Sequence, residues 1–303
     1  MQFRFPFALL VPARSFAFLL LASILMFQTI LPYNALQAQS ANEWVLLGPM
    51  TISDVSDPSD EVQKAFFDGD QIDPSIKGVK AGQNHPYGQA RLQWNAITPR
   101  AKQIFDLDEA LGDLDFIGAY AYTEILAEKA HQQLVAIASD DAIKIWLNGS
   151  LVHEYWGGRA LFPNEEFIAL QLNEGVNTIL VKVQDIKNDF GFQFNPLNGE
   201  LGEYLIDACM RGNLEQIEKL IEFGSDVNTK VGPGITAYHV AQWKGYAQIS
   251  VLLKNANADT TATRPSAAEI ADYMMADLLS ENDPAYGIII SKDGQIIYSN
   301  IIG

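Results

Sequence analysis

Tyr155-Trp156-Gly157-Gly158-Arg159 brings two aromatic rings and a planar guanidinium onto one glycine-rich stretch. An aromatic face beside a guanidinium suits a sugar ring, which stacks, or a carboxylate, which takes two parallel N–H bonds. The same residues also suit a purely structural role, because tryptophan is highly buried on average and can pack the end of a sandwich. Tyr155, Trp156 and Arg159 are therefore the candidate ligand-binding residues, with both readings open.

Other potentially reactive groups point to little chemistry. Asp68-x-Asp70-x-x-Asp73 lacks the glycine and the bidentate glutamate of an EF-hand loop, so the acidic stretch Ser53 to Asp73 reads as a solvated loop. Asp140-Asp141 offers too few oxygens for calcium and reads as a turn. His85, His131 and His153 have no His-Glu-x-x-His spacing and read as surface or strand-end residues. Cys209 is the only cysteine, which rules out an internal disulfide or a thiolate metal cluster; on its predicted helix it reads as a small buried hydrophobe. No serine has a lysine three residues later, and Gly-x-Ser-x-Gly does not occur. The expectation is no cofactor, no metal and no catalytic residue.

Composition sets the class. At 48% hydrophobic and 11% aromatic, the chain can bury large cores and reads as globular with more than one domain. Its net charge of −17 excludes nucleic acid as a partner, since phosphate binding needs clustered Lys and Arg. Residues 1–40 have the order of a secretory signal: Arg4 and Arg14, an apolar run from Phe16 to Phe27, then small residues at Ala38 and Ser40. Export to the periplasm or the extracellular space is expected. The run is shorter than the roughly 20 residues of a spanning helix, and no cysteine marks the cleavage site. A stable membrane anchor is not expected; an uncleaved anchor is the alternative.

Residues 42–197 alternate apolar and polar positions in short β-branched and aromatic runs bounded by Gly, Asn or Asp, the pattern of an antiparallel sandwich. Asn148-Gly149 supplies a type I′ turn between two of them. The stretch resembles the galactose-binding-like jelly-roll modules of bacterial secreted hydrolases. The resemblance rests on Trp44, Gly48-Pro49, Tyr120-Ala121-Tyr122, Ser139-Asp140-Asp141, Trp146-Leu147-Asn148-Gly149, Leu172 to Val183 and Gly191-Phe192. It implies either a carbohydrate or cell-wall ligand or a module that only holds its neighbours in place.

Residues 200–262 repeat with a period of 33, which aligns Ala208 with Ala241, Gly212 with Gly245, Leu220 with Leu253 and Asp226 with Asp259. Thr236-Ala237-Tyr238-His239-Val240-Ala241 and Gly212 to Asn228 resemble ankyrin repeats. That implies paired helices, a turn-bonding role for His239 and a possible protein partner. Two repeats close a core poorly, so they must lean on the sandwich or on the segment that follows.

Residues 265–303 predict a helix after Pro265 with Ile270, Tyr273, Met274 and Leu278 on one face, then two strands around Lys292-Asp293-Gly294. This order resembles the opening of serine β-lactamase and penicillin-binding-protein-like hydrolases of class C type, on Pro284, Gly287, Lys292-Asp293-Gly294 and Gly303. It implies the start of an α/β hydrolase domain whose nucleophile is not in these residues. Tyr298-Ser299-Asn300 matches a family element too early in the chain to act as one. The expected fold is thus multidomain: an all-β jelly-roll sandwich, a short ankyrin pair, and a helix plus hairpin of an incomplete hydrolase domain. The expected function is an accessory region, with a binding or positioning role, of an exported serine hydrolase. The alternative is an extracellular interaction or carbohydrate-binding protein without enzymatic activity, whose last helix and hairpin cap the repeats. With an open apolar edge, the hairpin is expected to drive self-association.

Overall fold

The computed structural model describes residues 43–278, 286–292 and 295–302. The expected export signal, residues 1–40, and the expected turn at Asp293-Gly294 lie outside the described residues. The first strands in chain order are β1 (Trp44–Thr51), β2 (Asn84–Tyr87), β3 (Ala90–Gln93), β4 (Asn95–Ile97), β5 (Ile104–Asp106), β6 (Ile117–Ala127) and β7 (His131–Asp140). There follow β8 (Ala142–Leu147), β9 (Ser150–Tyr155), β10 (Glu166–Leu172), β11 (Gly175–Gln184), β12 (Gly191–Pro196), β13 (Tyr286–Lys292) and β14 (Gln295–Ile302). Six strands form one antiparallel sheet in the order β4-β1-β6-β11-β8-β9, and four form a second in the order β10-β7-β12-β5.

The two sheets pack as a sandwich. Alternation supplies the inner layer: Ile143, Ile145 and Leu147 of β8 and Ile179, Val181 and Val183 of β11 meet Val135 and Ile137 of β7 and Phe192 and Phe194 of β12. Trp44 closes this core against Phe105, Phe192 and Phe194, with ring centroids 5.0–5.9 Å apart. The outer faces are covered as well, so that β8 and the last eight residues of β11 are buried on both sides. Over the six-stranded sheet, Tyr120, Tyr122, Trp146 and Leu180 pack with Ile72 and Trp94 from the segment between β1 and β4.

That covering segment corrects one expectation. The acidic stretch is not only a solvated loop: it contains helix α1 (Asp60–Asp68), whose Phe67 is 1% exposed, and it continues to Ile72, equally buried. Asp60 and Glu61 stay in solvent in the first turn, where the helix dipole favours them. Gln63 and Phe67, one turn apart, are the residues this charged helix buries.

A short helix, α2 (Leu107–Leu111), follows β5, and four helices follow the sandwich: α3 (Gly202–Arg211), α4 (Leu214–Glu222), α5 (Ala237–Lys244) and α6 (Ala247–Asn255). They form two helix pairs of the same local design, 33 residues apart. Gly212 and Gly245 end α3 and α5 at φ of 74° and 72°, a left-handed conformation that glycine adopts without strain. Asn228 links the pairs, its amide donating to the carbonyl of Asn257 while its Oδ1 accepts the N–H of Asp259. His239 is a turn residue: it completes a capping box with Thr236, and its Nε2 lies 3.2 Å from the carbonyl oxygen of Ala262.

The repeats lean on the sandwich. Leu134, Ala136 and Phe167 on the outer face of the four-stranded sheet share a core with Leu205, Cys209, Ile217 and Leu220. Burial pushes the Cys209 thiol up to about 12, consistent with its expected role as a hydrophobe.

In helix α7 (Ala267–Leu278), Ala271 is buried, Ile270 is half-buried and Tyr273 is 42% exposed, its ring against Gly232. Strands β13 and β14 pair antiparallel, and Tyr298 is buried with its hydroxyl donating to Asp272 of α7. The ribbon therefore has a docking partner within the chain, while Ile289 and Ile296 remain exposed.

Candidate functional site

Asn148 and Gly149, at φ of 52° and 84°, turn β8 back into β9 and deliver Tyr155 at its end. There Arg159 is fully engaged. Its backbone N–H donates to Asp141 Oδ1 at 2.8 Å, its Nη2 to Ser139 Oγ at 2.8 Å, and its Nη1 to Glu166 Oε1 at 2.7 Å. The guanidinium carbon sits 3.8 Å from the centre of the Tyr155 ring. Asp141 Oδ2 accepts the N–H of Ile186, and Asp140 Oδ2 that of Leu161. Asp140 and Asp141 thus form a loop junction whose carboxylates hold backbone. Burial, helped by the Asp141 charge, pushes the Asp140 carboxyl up to about 6. His153 lies 3.6 Å from Glu166, and burial holds its ring below the usual histidine range.

Trp156 belongs elsewhere. Its ring packs on Phe67 of α1 with centroids 5.1 Å apart and Lys64 over it at 5.6 Å. The structure therefore unites Tyr155 with Arg159 and places Trp156 in the α1 layer. The three do not form an open stacking platform: the Arg159 side chain is 11% exposed, and its donors are committed to Ser139, Glu165 and Glu166.

Two buried lysines escaped the sequence reading. Lys182 is fully buried, and its Nζ donates to the carbonyls of Phe67 at 3.0 Å, Gly69 at 2.6 Å and Phe66 at 2.5 Å. Lys144, its neighbour across β8, donates to the carbonyl of Asp68 at 3.3 Å. Together they satisfy the orphan carbonyls at the end of α1. Burial, and then the Lys144 charge, push Lys182 down to about 7. In the sequence each is a lone lysine between apolar strand residues, which alternation assigns to solvent.

A second polar constellation, also unread in the sequence, lies where the sandwich meets α3. A cleft of about 350 Å³ is lined by Lys102, Pro163, Asn164, Asn195 and, from one face of α3, Tyr204, Asp207, Arg211 and Glu203. The spacing of Glu203, Asp207 and Arg211, one helical turn apart, puts them in a row. Fully buried Gln193 of β12 ties two lining segments together: its Nε2 donates to the carbonyl of Lys102 at 2.8 Å, and its Oε1 accepts the N–H of Asn164 at 2.7 Å. Both pinned residues are left-handed, at φ of 60°.

Among the described residues no group of three or more His, Cys, Asp or Glu could hold a metal ion, and no helix is long and apolar enough to cross a membrane. Of the aspartates weighed for calcium, Asp73 accepts from the N–H and hydroxyl of Ser75, Asp68 pairs with Lys64, and Asp70 lies 3.7 Å from Lys144.

No family model and no curated protein matches the chain in sequence. Among solved structures, a β-glucosidase from Kluyveromyces marxianus is 10% identical, with a TM-score of 0.32, over 60% of this chain and 21% of that one. The PA14 domain of the MpAFP antifreeze protein is 16% identical, with a TM-score of 0.31, over 52% of this chain and 87% of the domain. A PA14 sugar-binding domain from an RTX adhesin is 14% identical, also with a TM-score of 0.31, over 52% of this chain and 96% of the domain. The chain spans about a fifth of that glucosidase, and likenesses at this level carry neither a family nor a ligand to it.

Proposed function

We propose that this chain is a binding and positioning module of an exported protein, in which a β-sandwich and a helical repeat pair act as one rigid body. One observation carries the reading. Strand β10 is an edge, and the backbone of its Phe167 is satisfied by the repeats: its N–H donates to Gln216 Oε1 at 2.7 Å and its carbonyl accepts Lys219 Nζ at 2.7 Å. Both side chains come from α4, so the repeats themselves cover the sheet edge at Phe167.

The finer assignments draw on the sequence. The 33-residue period supports repeats of ankyrin type, the segment after Pro265 supports the start of a β-lactamase-like serine hydrolase domain, and residues 1–40 support export. In that reading the module holds a catalytic neighbour at a fixed distance from its ligand. The rival, in which α7 and the ribbon cap the repeats, draws on Tyr298 bonded to Asp272 and on the ring of Tyr273 packed against Gly232.

Native-state hydrogen exchange tests the rigid-body reading. The amides of α3, α4 and β10 are expected to share one opening free energy with β7. Exchange of α3 and α4 in a separate, weaker step would overturn it.

A further inference from the structure

Resting on that reading of a binding module, we infer that the cleft between the sandwich and α3 takes a neutral saccharide of mono- or disaccharide size.

The first support is construction. Lys102 and Asn164 are non-glycine residues held in the left-handed region in two separate segments that line one cleft. Such residues cost free energy and persist where the surroundings over-determine them. Here the surroundings are Gln193, which also reaches Asn164 Oδ1 at 3.3 Å. A fully buried glutamine, with Phe192 and Phe194 beside it in the strand, holds two of the residues that line the cleft.

The second support is chemistry. Arg211 is spent on the wall itself, donating to the carbonyl of Pro163 at 2.7 Å and to Asp207 at 3.1 Å. The Lys102 ammonium, the Asn195 amide, the Glu203 carboxylate and the Tyr204 hydroxyl have no hydrogen-bond partner among the described residues. An ammonium, an amide, a carboxylate and a phenol offer donors and acceptors in mixed order, which is what adjacent hydroxyls of a sugar require. The formal charges cancel, Lys102 and Arg211 against Glu203 and Asp207, in a chain of net charge −17. An anion would meet two carboxylates and a cation two basic groups; a neutral polyol meets neither penalty. Tyr204 adds an apolar wall, its ring held edge-on to Phe167 with centroids 6.0 Å apart. The volume falls at the small end of ligand sites.

The test uses the full chain on an array of neutral and anionic glycans, followed by amide NMR titration with the strongest neutral hit. Binding is expected to shift Asn164, Asn195 and Tyr204. Asn195→Ala and Glu203→Gln, neither in the core, are expected to weaken it about tenfold each without changing the melting temperature. Trp156→Ala is expected to leave it unchanged. A silent array, a preference for anionic glycans, or unchanged affinity in both cleft variants would overturn the site. If α3, α4 and β10 still exchange with the sandwich, that failure leaves the positioning reading standing; separate exchange removes that reading whatever the array shows.

Discussion

Lys182 of β11 and Lys144 of β8 lie directly opposite each other on the outer face of the six-stranded sheet, and both ammonium groups close on the carboxy-terminal carbonyls of one helix. A strand pair thereby caps a helix that lies 76 residues before Lys144 and 116 before Lys182. The cap is also the main polar tie between α1 and the sheet.

Lys182→Met should consequently loosen α1. It leaves the carbonyls of Phe67 and Gly69 without their donor, while that of Phe66 keeps the Gln71 amide, at a cost of about 3 kcal/mol. Lys64→Ala, an exposed change on the same helix, should cost less than about 0.5 kcal/mol. Denaturant melts of the two variants check the contrast, and Trp156 fluorescence should shift to the red in Lys182→Met as its Phe67 contact opens. Equal stabilities would show that apolar packing alone holds the helix.

Acidic groups give the chain a pH dependence. Burial, followed by the charges of Asp141 and Asp115, pushes the fully buried Asp185 carboxyl up to about 8, while its Oδ2 accepts the N–H of Phe116. The folded value is raised above the unfolded one near 3.9. The folded chain therefore binds the extra proton between about pH 4 and pH 8, and stability falls as pH rises through that window. Asp140, raised to about 6, adds in the same direction over the lower part. Asp185→Asn keeps an oxygen for Phe116 and should be more stable than the parent at pH 8 but not at pH 4. Melting temperature against pH reads this directly, and parallel curves for the two proteins would contradict it.

The sheet edge provides a third test. Gln216→Ala removes the acceptor for the Phe167 N–H and should cost about 1–3 kcal/mol. Phe167→Ala removes a ring 1% exposed that serves the sandwich–helix core and should cost about 3–5 kcal/mol. Both should speed hydrogen exchange in α3 and α4 together with β10. A loss confined to the helices would mean that the edge does not couple them.

Trp156→Ala is expected to destabilise by about 1–2 kcal/mol through lost packing on Phe67 while leaving glycan binding intact. Abolished binding with an unchanged melt would restore the aromatic platform of residues 155–159 and remove the cleft from consideration.

Much of the architecture was legible because it is written in local periodicity. Ile143, Ile145 and Leu147 alternate and face the inter-sheet core, and Asn148-Gly149 forces the turn that follows. Gly212 and Gly245, 33 residues apart, end equivalent helices in the same left-handed conformation. These features depend on neighbours within a few residues or on a fixed period, so the sequence contains all that is needed to read them.

Tertiary structure decided what each face meets. Alternation assigns Lys144 and Lys182 to solvent, and only the approach of α1 makes them buried caps. The acidic stretch reads as solvated because charge dominates it, whereas Phe66, Phe67 and Ile72 pack beneath the charged face. Tyr155, Trp156 and Arg159 adjoin in sequence but are divided between the Arg159 network and the α1 layer, since side chains near a strand end diverge to opposite faces. The cleft draws Lys102, Asn164, Asn195 and Tyr204 from four separated segments, and a site assembled from distant loops leaves no spacing in the chain from which it can be read.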